Sequence, residues 1–156
     1  MELEDVFRTY QRGVYAYFLR TLGDARAAEE LTQETFYRAC VAALRFRGDS
    51  SVRTWLFGIA RRVLLEHLRH KGRVQPAAEP PDAPAEPRRD DERIDLEWAF
   101  ARLSIDDREL LMLVDVLGME PKEVAQTMGI EGSAARVRLH RARQRLRDAY
   151  GGGGTT

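Results

Sequence analysis

The sequence predicts an all-α protein: two small helical domains joined by a flexible Pro/Ala/acidic linker, the C-terminal one a helix-turn-helix. Three observations lead there. Apolar residues recur at helical spacing, and no segment sustains a period of two. The stretch Pro76–Pro87 holds five of the six prolines and almost no large apolar residue, so it can neither propagate a helix nor pack a core. Finally, Pro121 opens one helical pattern, Gly129 closes it, and an arginine-rich helical pattern follows. The expected divisions are an N-terminal domain over 1–75, a linker over 76–93, a C-terminal domain over 94–150 and a disordered tail over 151–156.

The elements follow in order. Phe7, Tyr10, Val14, Tyr17 and Phe18 give a first helix near 3–22. Gly23-Asp24 breaks and recaps the chain. Leu31, Phe36, Ala39, Ala43 and Leu44 fit a second helix near 25–45. Gly48-Asp49-Ser50-Ser51 is a turn rich in N-cap candidates, and a third helix runs from it to about Arg69. Four more helices are expected near 92–102, 105–117, 121–128 and 133–149. By surface-to-volume scaling each domain alone has a marginal core.

Composition narrows the function. The 156 residues carry 25 basic and 25 acidic side chains, so a uniformly basic coat for nucleic acid is excluded and only local patches remain. Asymmetry is strong: 13 basic and nine acidic residues over 1–75, three and seven over 76–95, nine and nine over 96–156. One cysteine, Cys40, gives neither an intramolecular disulfide nor a Cys-based zinc site. His67 and His70 lack a matching ligand cluster, and there is no P-loop or nucleophile constellation. No cofactor or metal is expected. With no apolar run long enough to span a bilayer and no signal-peptide layout, the expected location is the cytoplasm.

Two regions point to nucleic acid. In the first, Ala125 is small where two helices cross, Gly129 sits where φ > 0 is needed, Ile130 plugs the angle, and Ser133 or Gly132 caps the next helix. That helix has Ala135, Leu139, Ala142 and Leu146 on its inner face. Between 136 and 147 it carries six arginines and no acid, and Arg136, Val137, His140, Arg141 and Gln144 share the outer face. Arginine forks suit phosphates and guanine edges. The second region, Phe46–Arg62, mixes aromatics and small polar residues in a loop with a basic helix behind it, which suits single-stranded nucleic acid; Trp55 is expected mainly buried, with one edge near the loop. A third feature, the face Glu30, Gln33, Glu34 and Tyr37, reads by charge alone as a solvated helix surface.

Together these segments resemble the extracytoplasmic-function (group IV) sigma factors of bacterial RNA polymerase. The resemblance rests on Glu29-Glu-Leu-Thr-Gln-Glu-Thr-Phe-Tyr-Arg-Ala39, Phe46-Arg-Gly-Asp-Ser-Ser51, Trp55-Leu-Phe-Gly-Ile-Ala-Arg61 and the stretch from Leu103 to Arg147. It covers about two thirds of the chain, in order, and it implies roles. Glu30, Gln33, Glu34 and Tyr37 would hold the clamp coiled coil of the polymerase largest subunit, and the polymerase flap is a second implied contact. Phe46, Arg47, Asp49, Ser50, Ser51, Arg53 and Trp55 would capture a flipped −10 base, with Arg61 and Arg62 along that element. Ser133, Arg136, Val137, Arg138, His140, Arg141 and Arg143 would meet the −35 duplex. Arg62 stands where the family usually has Asn, Ser133-Ala-Ala replaces the usual Gly-Thr-Val, Val137 replaces Ser, and Glu120 replaces a Ser cap, so a weaker cap is expected there. The resemblance also implies non-catalytic action, and many relatives are held by anti-sigma factors. A self-sufficient helix-turn-helix regulator and a nucleic-acid enzyme are the rival readings; the first predicts specific duplex binding by the free chain, the second metal- or nucleotide-dependent turnover.

Overall fold

The computed structural model describes residues 2–74 and 92–152, and every regular element among them is helical. The expected linker falls outside the described residues, except that 92 and 93 open a helix; the expected tail does too, except that 151 and 152 close one.

Helix α1 spans Leu3–Leu22, with Glu4 and Asp5 in its first turn and Arg20 in its last, charges that suit the helix dipole. Gly23, at φ 71°, ends it in the left-handed conformation that only glycine adopts cheaply. Asp24 then caps α2, Ala25–Ala42, its carboxylate accepting from the N–H groups of Arg26 and Ala27 at 3.0 and 3.2 Å. A 3₁₀ turn, Ala43–Arg45, follows. Ser51 Oγ accepts from the Thr54 N–H at 3.1 Å and so caps α3, Val52–Val74, which outruns its expected end.

The second group begins with α4, Glu92–Ala101. Ser104 caps α5, Ile105–Leu111, by accepting from the Asp107 N–H. The expected continuation to 117 is a π turn, Met112–Val116, in which Leu117 N–H reaches back five residues to Met112 O. Helix α6, Pro121–Met128, starts at Glu120 without a side-chain cap, as expected, and ends at Gly129 with φ 67°. Helix α7 spans Gly132–Gly152. It opens one residue earlier than expected: the Ala135 N–H bonds Glu131 O, so Ser133 lies inside the first turn.

The two groups share one core. Tyr17 and Phe18 of α1 and Leu56, Phe57, Ala60 and Leu64 of α3 are continuous with Leu110–Leu113, Met119, Val124, Met128, Leu139 and Ala142. Helix α1 packs on α5, and α3 on α6. Each fully buried large apolar side chain contributes about 1.5–3 kcal/mol, so pooling the two marginal cores raises the stability of both.

Candidate functional site

Three surfaces emerge from this scaffold. The first is the outer face of α2. Thr32, Thr35, Phe36 and Ala39 are buried, which turns Glu30, Gln33, Glu34 and Tyr37 outward, all exposed. Arg38 Nε donates to Glu34 at 2.9 Å and Arg38 Nη2 to Glu66 of α3 at 2.5 Å. That bond holds the Glu66 carboxyl below its usual range, and the two acids push the Arg38 value upward. Glu34 is thereby fixed in direction while Glu30 leans on Arg26 at 3.6 Å. The same stripe continues through Val41, 64% exposed, to Leu44, 98% exposed. Leu44 thus lies in solvent, in the 3₁₀ turn that replaces the last residues of the expected helix. Residues 30, 34, 37, 41 and 44 follow steps of three and four, so the helical period alone could have extended this face.

The second surface is the 46–62 segment. The Phe46 ring lies 5.0 Å from the Trp55 ring, and Trp55 is half-buried, as expected. Arg47, Asp49, Ser51 and Arg62 are exposed. With Ser50, Trp55, Arg61 and Arg62, Asp49 lines a cleft of about 570 Å³. Its opposite wall comes from Gln126–Gly129 at the end of α6. Two expected members of this surface are already engaged. Arg53 donates to Glu123 Oε2 at 2.6 Å and to Leu117 O at 3.1 Å. Arg61 Nε sits 3.3 Å from Glu109 Oε2.

Glu109 was missed by the sequence reading, because the run Asp106-Asp107-Arg108-Glu109 looks solvated. It is 1% exposed and accepts a hydrogen bond from Tyr17 OH. Burial raises the carboxyl's pKa, and burial beside that carboxylate raises the Tyr17 phenol well above its ordinary range.

The third surface is α7. Ala135, Leu139 and Ala142 are buried, and Arg136, Val137, Arg138, His140 and Arg141 are exposed. Among the described residues no ion pair engages Arg136, Arg138 or Arg141. Arg143 is placed differently: it turns to the flank and binds Asp115 of the π turn at 2.5 and 3.2 Å. Arg145 similarly holds both oxygens of Asp107 at 3.0 Å. Ser133 is exposed in the first turn, where free N–H groups favour an anion.

A helix-turn-helix, an aromatic and basic loop and an outward acidic helix are thus carried on one shared core. Residues 6–74 match Sigma-70 region 2, and residues 94–146 match Sigma-70, region 4. The ECF RNA polymerase sigma factor SigC of Mycobacterium tuberculosis is 36% identical over 92% of this chain and 80% of its own length. SigM of Bacillus subtilis is 30% identical over 98% of each. In fold the chain resembles the sigma factor RpoE, solved in complex with the anti-sigma factor NepR from Bartonella quintana: TM-score 0.79, 23% identity, 94% of each chain. CnrH, solved with the cytosolic domain of CnrY, gives a TM-score of 0.72 at 20% identity, over 96% of this chain and 88% of that one. The chain belongs to the ECF RNA polymerase sigma factors: it is an alternative sigma factor that directs promoter-specific transcription by binding core RNA polymerase.

Proposed function

We propose that the chain divides this work among its three surfaces. Glu30, Gln33, Glu34 and Tyr37 dock the clamp coiled coil. Phe46, Arg47, Asp49, Ser50, Ser51, Arg53 and Trp55 trap an unpaired −10 base while Arg61 and Arg62 follow the strand. Ser133, Arg136, Val137, Arg138, His140 and Arg141 read the −35 duplex. Arg143, held by Asp115, contributes to the field felt by phosphates rather than to base reading. The observation that carries the reading is the division of α7 into a buried apolar stripe and an exposed face whose Arg136, Arg138 and Arg141 no ion pair engages among the described residues. The protein performs no covalent chemistry and works in the cytoplasm, reaching the nucleoid through the polymerase. An inhibitor of the anti-sigma kind is a further partner, a reading supported by the complexes in which both fold neighbours were solved.

The deciding experiment titrates the purified chain with bacterial core RNA polymerase beside a Gln33→Ala/Glu34→Ala variant. Wild type binds, and the variant loses about tenfold in affinity or more, with a steeper loss at low salt. Equal binding by both would move the clamp contact off α2. Specific duplex binding by the free chain without polymerase would favour a stand-alone regulator.

A further inference from the structure

We propose that Asp107 and Asp115 are positioning residues for −35 reading, fixing the rotation of α7 about its own axis. The inference rests on the reading of α7 as the −35 helix and adds the groups that aim it.

An apolar stripe holds a helix down, but the helix resists rolling only as far as its side chains interlock with their neighbours. The buried stripe of α7 is shallow. Ala135 and Ala142 end at Cβ, Leu139 alone of the buried residues reaches further, and Leu146 is only partly buried. Ion pairs flank this stripe. Arg143 grips Asp115 in a side-on fork, Nη2 to Oδ1 at 2.5 Å and Nε to Oδ2 at 3.2 Å. Arg145 Nη1 lies 3.0 Å from both oxygens of Asp107. Two residues turn a helix by about 200°, so positions 143 and 145 leave α7 on opposite sides of the stripe. A roll in either direction therefore strains one pair. The acids are the fixed partners: Asp107 is buried on α5 beside Leu110 and Leu111 of the core, and Asp115 sits in the π turn seated by Met112 and Leu113. At the other end of α7, Gly129 and the Ile130 N–H bond to Ala125 O set the entry turn. The consequence is geometric. A roll of about 20° moves an atom about 6 Å from the axis by about 2 Å, whereas recognition groups must be held within about 0.5 Å. Attraction to phosphates survives such a shift, but directional bonds to base edges do not. Loosening the pairs thus costs specificity more than affinity.

The test uses holoenzyme assembled from core polymerase and the full chain. Wild-type holoenzyme selects a promoter from a pool randomised at −35. Discrimination is then the ratio of affinities for that promoter and for one with its −35 element scrambled. Asp115→Asn and Asp107→Asn each lower discrimination about fivefold, while affinity for the scrambled promoter changes less than about twofold. Asp115 is exposed, so Asp115→Asn carries the test alone if Asp107→Asn folds poorly. Asp115→Glu keeps the ion pair and most of the discrimination. The exchange Asp115→Arg/Arg143→Asp rebuilds the pair with its charges reversed and recovers discrimination lost in either single change. Glu120→Gln removes an exposed acid from the same helix-turn-helix and alters discrimination less than about twofold. Unchanged discrimination in Asp115→Asn, a gain there as Arg143 is released, an equal loss in Glu120→Gln, or no recovery in the exchanged pair would each overturn the proposal. Arg136→Ala/Arg141→Ala separates this from the parent reading. If that variant keeps full discrimination, α7 does not read −35 and the positioning role falls with it. If it loses discrimination while Asp115→Asn does not, positioning alone fails.

Discussion

Acidic side chains are seldom fully buried unless their charge is answered. Glu109 is answered by Tyr17 OH and Arg61, groups from the other half of the chain. Tyr17→Phe removes one donor and leaves the carboxylate under-satisfied. Urea unfolding should show a loss of about 1–3 kcal/mol, and a smaller loss when Glu109→Gln is already present, because the amide carries no charge to be left unanswered. Additive losses would mean that the hydroxyl and the acid act independently. On α7 the corresponding single-residue question is base contact. Arg136→Ala and Arg141→Ala should each weaken −35 discrimination by about 1–3 kcal/mol in holoenzyme binding to a selected promoter. Arg143→Ala should shift affinity across sequences more evenly, since Asp115 holds its guanidinium at the flank. The family resemblance placed Arg143 among the readers, and no local pattern could show that an acid of the π turn would claim it.

At the scale of elements, caps and turns set the helix-turn-helix. Pro121 lacks an N–H that a helix start does not need, but Glu120 gives α6 no side-chain cap. Glu120→Ser should therefore stabilise the chain by about 0.5–1 kcal/mol in chemical denaturation; an unchanged midpoint would show that the adjacent packing, not the cap, limits α6. The π turn at Met112–Val116 is the element the helical pattern concealed, because apolar spacing continues smoothly through Leu111, Met112 and Leu113. Its extra residue per turn carries Asp115 to Arg143 and Leu117 O to Arg53. Such widened turns often lie at functional sites, and here one turn serves both halves.

At the scale of the molecule the shared core makes the two halves one cooperative unit. Trp55 reports on the N-terminal helices and Trp98, stacked under Arg102 at 4.6 Å, on the C-terminal ones. Variants Trp98→Phe and Trp55→Phe should therefore unfold in coincident transitions. Separated midpoints would show that the interface contributes little to either half. Coincidence in the free chain also bears on function, since opening toward DNA must then cost free energy that polymerase contacts offset.

Seven helices and their order were legible in the chain, with the start of α7 one residue off, because helical periodicity, prolines, glycines and Ser or Asp caps are local. The outward faces of α2 and α7 were legible for the same reason: a helix of known phase places every residue. The joining of two marginal cores was not legible, nor was the Tyr17–Glu109–Arg61 cluster or the Arg53–Glu123 pair. These pair residues 48 to 92 positions apart, and no local pattern records which face of one helix group will meet another. Exposure of Leu44 and burial of Glu109 were settled the same way. The sequence by itself determined which helices form and which side chains could read DNA. Tertiary packing decided which of those side chains are free, because an arginine's partner is set by what the fold brings within reach of it.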